Sequence, residues 1–265
     1  MKRFFIIYMG TKYQESPKLE RYDLRGYKTV VEPFGGTYGF SRWLYSDKDM
    51  TDTRYVVYDI NAGLIAFYKA LQADAVGVLA GYHALKSEVE AACADTPERK
   101  AKYKHRNLLV KPVAMRFIED AEHYPEAVRW MVKHELEVSI FPVLNGKKPD
   151  PAFVAMLDRV EFHEEAFTHD MIERYDASTT LWYLDPPYLM ECNTQYTHKG
   201  NQFTLFATIR KLLSAVGHSA ILVHCANELL EAYLGPSAYS YDKTYARNAK
   251  KIMHSVWVNG CPLSI

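Results

Sequence analysis

The residues best suited to chemistry are Asp185-Pro186-Pro187-Tyr188, which follow the apolar, strand-like run Leu181-Trp182-Tyr183-Leu184. A carboxylate, two prolines and an aromatic ring at the end of a strand suit the holding of an exocyclic amino group. In adenine or cytosine the amino lone pair is delocalised into the ring and is poorly nucleophilic. A carboxylate and a backbone carbonyl together accept both amino hydrogens and free that lone pair for attack. Proline fixes φ and has no N–H, so the carbonyls around Asp185 meet no competing donor, and the Tyr188 ring offers a face on which a base stacks. Taken alone, the segment also reads as a strand stopped by two prolines.

A second constellation precedes it in the order such chemistry requires. Val30-Val31-Glu32 leads as a strand into Pro33-Phe34-Gly35-Gly36-Thr37-Tyr38-Gly39-Phe40, a glycine-rich turn that opens a helix. Glycines in such a turn let the backbone approach a ligand. Tyr55-Val56-Val57-Tyr58-Asp59-Ile60-Asn61 is a second strand. It ends in a carboxylate about 20 residues beyond the turn, the spacing at which an α/β unit presents an acid to ribose hydroxyls.

These segments resemble the Dam-type (D12 class) N6-adenine DNA methyltransferases, which use S-adenosylmethionine, and the resemblance spans residues 4–71 and 157–260. Tyr8-Met9-Gly10-Thr11-Lys12 is similar to the family's aromatic-x-Gly-Gly-Lys motif, with Thr11 in the place of the second glycine. Glu32-Pro33-Phe34-Gly35-Gly36 resembles its Asp/Glu-Pro-Phe-x-Gly-x-Gly motif, with Tyr38 where the last glycine is expected and Gly39 one position later. Val57-Tyr58-Asp59-Ile60-Asn61 is similar to its Asp-Ile-Asn segment, and Phe162-His163-Glu164-Glu165-Ala166-Phe167 to the strand-end motif that precedes the catalytic one.

The resemblance implies that Tyr8, Lys12, Glu32, Phe34, Gly36, Asp59, Ile60 and Phe167 surround S-adenosylmethionine, with Asp185 bordering the same pocket. Lys12 would meet the methionine carboxylate and Asp59 the ribose hydroxyls, while Ile60 and Phe167 would sandwich the adenine ring. An aromatic face such as Tyr8 or Phe34 suits the sulfonium cation, although core packing accounts for both rings as well. For catalysis it implies that Asp185 and the Pro186 carbonyl hold the target amino group, with Pro187 and Tyr188 completing the motif. Asn193–Gly200 reads as a polar loop that closes on a flipped base, with Tyr196 and Lys199 at the nucleic acid. Arg247, Lys250 and Lys251 follow Lys243 in a basic segment aligned with the family's, although His254 stands where the family has Glu-Leu-Leu.

The expected architecture is a Rossmann-like S-adenosylmethionine-dependent methyltransferase fold, a mixed, mostly parallel sheet flanked by helices. Residues 1–70 and 155–265 form the catalytic domain and 71–154 a helical insertion in the interval where the family reads its target. Within that interval Pro97 and Pro125 each open a helix, and Val128, Met131, Val132 and Leu136 recur at helical spacing. Asn145-Gly146 marks a turn, and the family's recognition signature is absent. Further strands are read at Val160–Phe162, Ser219–His224 and Ile252–Val258, and a helix at Phe206–Leu213.

The 265 residues carry 32 Lys plus Arg against 32 Asp plus Glu, so the chain is formally neutral and a polyanion must be held by local patches. Arg99–Arg106 is one such basic run, or else a solvated helix face. Four cysteines without Cys-x-x-Cys spacing read as reduced thiols, so that a cytoplasmic enzyme without a metal is expected. The Phe4–Ile7 stretch is too short for a signal peptide and no run approaches a membrane span. His224 and Cys225, at a strand end without an acid partner, read as core residues. The sequence does not set the oligomeric state. The implied activity is N6-adenine methylation of duplex DNA with a flipped base and short or relaxed sequence preference; RNA adenine, cytosine N4 and a non-catalytic nucleic-acid-binding role remain open.

Overall fold

The computed structural model describes residues 12–94, 106–138, 151–189, 202–244 and 251–264. Pro97, Asn145-Gly146 and all of the basic run except Arg106 lie outside that set. The chain divides into two compact units, one built on Asn61–Asp158 and the other on Thr11–Ile60 with Arg159–Ile265.

The second unit contains a seven-stranded sheet: β1 (Thr29–Glu32), β2 (Arg54–Asp59), β3 (Val160–Glu164), β4 (Thr180–Leu184), β5 (Ser219–Cys225), β6 (Tyr239–Thr244) and β7 (Lys251–Asn259). Their order across the sheet is β3-β2-β1-β4-β5-β7-β6. The first five in that order are mutually parallel, and β7 runs antiparallel to both β5 and β6. All segments read as strands are strands. Every residue of β4 and β5 is buried, as expected where a parallel sheet is covered on both faces and its strands become continuous apolar runs.

Among the described residues of this unit the α-helices are α1 (Gly39–Asp47), α7 (His169–Ile172), α8 (Gln202–Ser214) and α9 (Glu228–Leu234). Phe206, Ile209 and Leu212 recur at helical spacing on α8 and join Val31, Val56, Trp182, Leu184 and Leu222 of the sheet in one core cluster. The alternate strand residues face the other way, where the Tyr183 ring stacks on Phe40 of α1 at 4.1 Å.

The Asn61–Asp158 unit is helical, with α2 (Ala62–Ala73), α3 (Ala75–Ala94), α4 (Arg106–Asp120), α5 (Glu126–Val138) and α6 (Pro151–Met156). Asn61 caps α2 by accepting the Leu64 N–H at 3.3 Å. On α5 the periodic residues Val128, Met131, Val132 and Leu136 are all buried. The α2–α5 contact is close enough that a Cβ on Gly63 would lie 2.0 Å from the Trp130 ring. Among the described residues no helix is long and apolar enough to cross a membrane.

Candidate active site

The strand order reverses between β1 and β4, where Val31 pairs with Trp182 and the carboxyl ends of the two strands lie side by side. In open parallel sheets the loops leaving such a reversal form the ligand crevice. Here β1 delivers Glu32–Gly36, β2 delivers Asp59 and Ile60, and β4 delivers Asp185–Tyr188.

The turn after β1 is tied down by its neighbours. The Gly35 N–H donates to the Tyr58 carbonyl at 2.8 Å. Gly36 adopts φ +49°, and its N–H donates to Asp59 Oδ2 at 2.9 Å. Tyr38 also has positive φ, at +35°. Glycine takes this left-handed region without penalty, whereas a side chain costs about 1–2 kcal/mol there. The Tyr38 ring is fully buried and meets Phe162 edge-on at 5.4 Å. The displaced glycine serves a different contact, since a Cβ on Gly39 would lie 2.8 Å from the Lys12 backbone nitrogen and 2.5 Å from that of Tyr13. Its bare backbone allows the Lys12 segment to lie against the start of α1.

Lys12 is only 4% exposed, yet its Nζ sits 2.8 Å from Asp185 Oδ2. It also donates to the Tyr188 hydroxyl at 3.2 Å and lies 3.9 Å from Glu15 Oε1. Glu15 anchors a second layer of contacts. It accepts from the Tyr241 hydroxyl at 2.9 Å and from Lys243, and it faces His254 Nδ1 at 3.0 Å. His254 Nε2 in turn lies 3.5 Å from the Tyr188 hydroxyl.

Burial sets the electrostatics and the partners correct it. Burial works against the Lys12 charge, but Asp185 and Glu15 more than offset it and raise the ammonium above its ordinary range. Burial raises the Asp185 carboxyl above the usual carboxylate range, with Lys12 opposing the shift. It would do the same to Glu15, but His254, Lys12 and Lys243 pull that group down to about 2. Glu32, 3% exposed, is pushed up to about 7 by burial and by the Asp185 charge, even though its Oε1 accepts the Ser41 N–H at 2.7 Å in the first turn of α1.

Phe34 packs against the core cluster that contains Phe167 and Trp182. Phe34 is half-buried and meets Phe167 edge-on at 5.7 Å, and Phe167 lies 5.9 Å from Trp182. Ile60, at the end of β2, is 43% exposed, uncommon for a residue next to a buried strand.

Of the residues grouped from the sequence, Lys12 is in direct contact with Asp185 and Tyr188, and Gly36 with Asp59. Tyr8, Tyr196, Lys199, Arg247 and Lys250 lie outside the described residues. Lys251 is exposed at the first position of β7. Lys243, read with the basic segment, instead turns inward to Glu15. The sequence reading passed over Glu15 and Tyr241 and took His254 only as a departure from the family pattern. Glu15 bonds to Tyr241 across 226 positions of sequence, and the one local signal was the Lys12–Glu15 spacing of three. His224 is a satisfied core histidine, as read, with bonds at both ring nitrogens.

The reversal of this mixed sheet thus gathers a glycine turn, a strand-end acid and a half-buried carboxylate. Residues 8–138 match the model of the D12 class N6 adenine-specific DNA methyltransferase family. No curated protein matches the chain. The family match carries Lys12, Glu32–Gly36 and Asp59, and ends before Asp185.

Proposed function

We propose that the protein transfers a methyl group from S-adenosylmethionine to the N6 amino group of adenine in duplex DNA, on a Rossmann-like methyltransferase fold. The observation that carries the reading is the half-buried Asp185 that follows β4, held 2.8 Å from the buried Lys12.

The donor set fits the cofactor. A buried ammonium at Lys12 suits the methionine carboxylate. Asp59 suits the ribose diol, and Ile60 with Phe34 and Phe167 supplies apolar surface for a flat ring, so that the exposed Ile60 gains a cover. S-adenosylmethionine would supply an electrophilic methyl group on a sulfonium cation, its C–S bond breaking to leave the thioether S-adenosylhomocysteine as the methylated nitrogen loses one amino proton to solvent.

The remaining work is done by the chain. Asp185 and the Pro186 carbonyl accept the two amino hydrogens and redirect the lone pair out of the base plane. The Tyr188 ring supports the extruded base, its hydroxyl fixed by Lys12 at 3.2 Å and facing His254 at 3.5 Å. Lys12 neutralises Asp185 before a base arrives, which keeps a half-buried carboxylate from standing unpaired. Positioning accounts for most of the rate acceleration in such a transfer. Residues 1–70 and 155–265 serve as the catalytic domain, and the 71–154 insertion meets the target with short or relaxed sequence preference, aided by phosphate contacts from Arg247, Lys250 and Lys251. The enzyme works in the cytoplasm.

The test is to incubate DNA and RNA separately with the protein and labelled cofactor and to analyse the nucleosides by mass spectrometry. N6-methyl-2′-deoxyadenosine label in the DNA arm alone is expected, and Asp185→Ala should remove it while S-adenosylhomocysteine still binds within a few-fold. Label in RNA or on cytosine would replace the substrate assignment. An Asp185→Ala enzyme as active as wild type would sink the amino-clamp mechanism.

A further inference from the structure

The segment that carries Asp185 and Tyr188 leaves the sheet after Leu184 and reaches Leu189, whose backbone is held from outside its own loop. Its N–H donates to His224 Nε2 at 2.9 Å. His224 belongs to β5, the strand hydrogen-bonded to β4, and is fully buried. Its other ring nitrogen, Nδ1, lies 2.7 Å from the Cys225 carbonyl oxygen.

These two contacts settle the tautomer. A carbonyl oxygen only accepts and an amide N–H only donates, so the proton must reside on Nδ1 and the lone pair on Nε2. Protonating Nε2 would place an N–H against the Leu189 N–H, and burial holds the ring neutral by drawing its pKa down to about 4. The imidazole therefore works as a strut of fixed polarity between the sheet and the loop. Its ring also lies 4.9 Å from the Tyr188 ring and 5.6 Å from Phe206 of α8, which bounds the positions open to Tyr188.

We propose that His224 is a positioning residue for methyl transfer: by accepting the Leu189 N–H it fixes the exit of the Asp185–Tyr188 segment and hence the tyrosine ring on which the base rests. The inference builds on the reading of this site as an amino methyltransferase. It predicts that the acceptor, rather than bulk or charge, is what the position needs. In His224→Gln the amide oxygen reaches about as far as Nε2 and can accept the same N–H, whereas His224→Leu fills the space and accepts nothing.

Two measurements on the full chain test it. Nitrogen-15 NMR of the imidazole should report the Nδ1–H tautomer, and the Leu189 amide should be protected from exchange in wild type and His224→Gln but not in His224→Leu. In methyl transfer to DNA, His224→Leu should lower kcat ~10–100-fold with KM for the cofactor unchanged, and His224→Gln should recover kcat to within a few-fold. An Nε2–H tautomer, a protected Leu189 amide in His224→Leu, or a glutamine variant as slow as the leucine one would each overturn the proposal. If wild type transfers no methyl group to any nucleic acid, the functional reading falls and the His224 role in catalysis falls with it, while the amide protection data still decide whether the strut exists.

Discussion

Both compact units bury a lysine against a carboxylate, and they do so in different ways. In the helical unit Lys86 of α3 donates to Glu135 Oε2 on α5 at 2.8 Å and to the Tyr82 hydroxyl at 2.9 Å, while Tyr82 donates to Glu135 Oε1 at 2.7 Å. Each member of that triangle bonds both others, and all three are 5% exposed or less. In the sheet unit Lys12 is shared among Asp185, Glu15 and Tyr188, and Asp185 lies in a loop with 17% of its side chain open to solvent. The first arrangement joins two helices. The second leaves one carboxylate partly open to solvent with a buried cation beside it, as the proposed ligand site requires. A buried ion pair thus indicates function by what else its members face, and burial by itself does not distinguish the two.

The largest expected effect tests the structural half of that contrast. Lys86→Met leaves the Glu135 carboxylate buried without its cation and should cost about 3–5 kcal/mol in chemical denaturation. The triple change Lys86→Met, Glu135→Leu, Tyr82→Phe removes every member of the triangle and should recover most of that loss, since a packed apolar replacement for a buried ion pair is often neutral. A Lys86→Met protein within about 1 kcal/mol of wild type would show that water reaches the triangle and that the two clusters are not so different.

The same contrast explains what could be read from the sequence. Strands β1, β2, β4 and β5 are buried along nearly their whole length, so they stand out as unbroken apolar runs, and α5 shows in the spacing of Val128, Met131, Val132 and Leu136. Strand β6 did not show. It borders the sheet, its Tyr-Ser-Tyr-Asp-Lys-Thr residues alternate between half-buried and exposed, and nothing in it is apolar enough to call for a core. The motif acids Asp59 and Asp185 were legible because each ends such a run. Glu15 was not, because its partners Tyr241 and Lys243 come from β6, more than two hundred positions away, and only the fold joins them. The Tyr38 departure was visible as a letter, but its left-handed backbone and the close approach that Gly39 permits required the folded turn.

A smaller effect sharpens the functional half. Lys12→Met also removes a buried cation, yet Asp185 has partial access to solvent and Glu15 keeps Lys243 and His254. Its stability cost should fall below that of Lys86→Met. Its effect on S-adenosylhomocysteine binding, measured by calorimetry, should be tenfold or more, about 1.4 kcal/mol. Lys86→Met should leave that affinity unchanged at temperatures where the variant is folded. If Lys12→Met unfolds the protein as readily as Lys86→Met does and binds the ligand normally, the Lys12 cluster is structural as well.

The smallest expected effect lies in the pH dependence of the sheet unit. Glu15 titrates near 4.5 when free and is held at about 2 in the fold by His254, Lys12 and Lys243 against the opposing pull of burial. A carboxyl depressed by folding contributes stability that is fully present above its unfolded pKa and is lost as pH falls through the window from about 4.5 to about 2. By pH 4 the loss from this one group should reach about 1 kcal/mol. Other carboxylates titrate over the same range, so the quantity to measure is the difference between wild type and Glu15→Gln. That difference should favour wild type at pH 7 and shrink by about 1 kcal/mol on going to pH 4, because the amide variant has no proton to gain. A difference constant with pH would mean that Glu15 titrates alike folded and unfolded, and that the cations around it serve the neighbouring Asp185 instead.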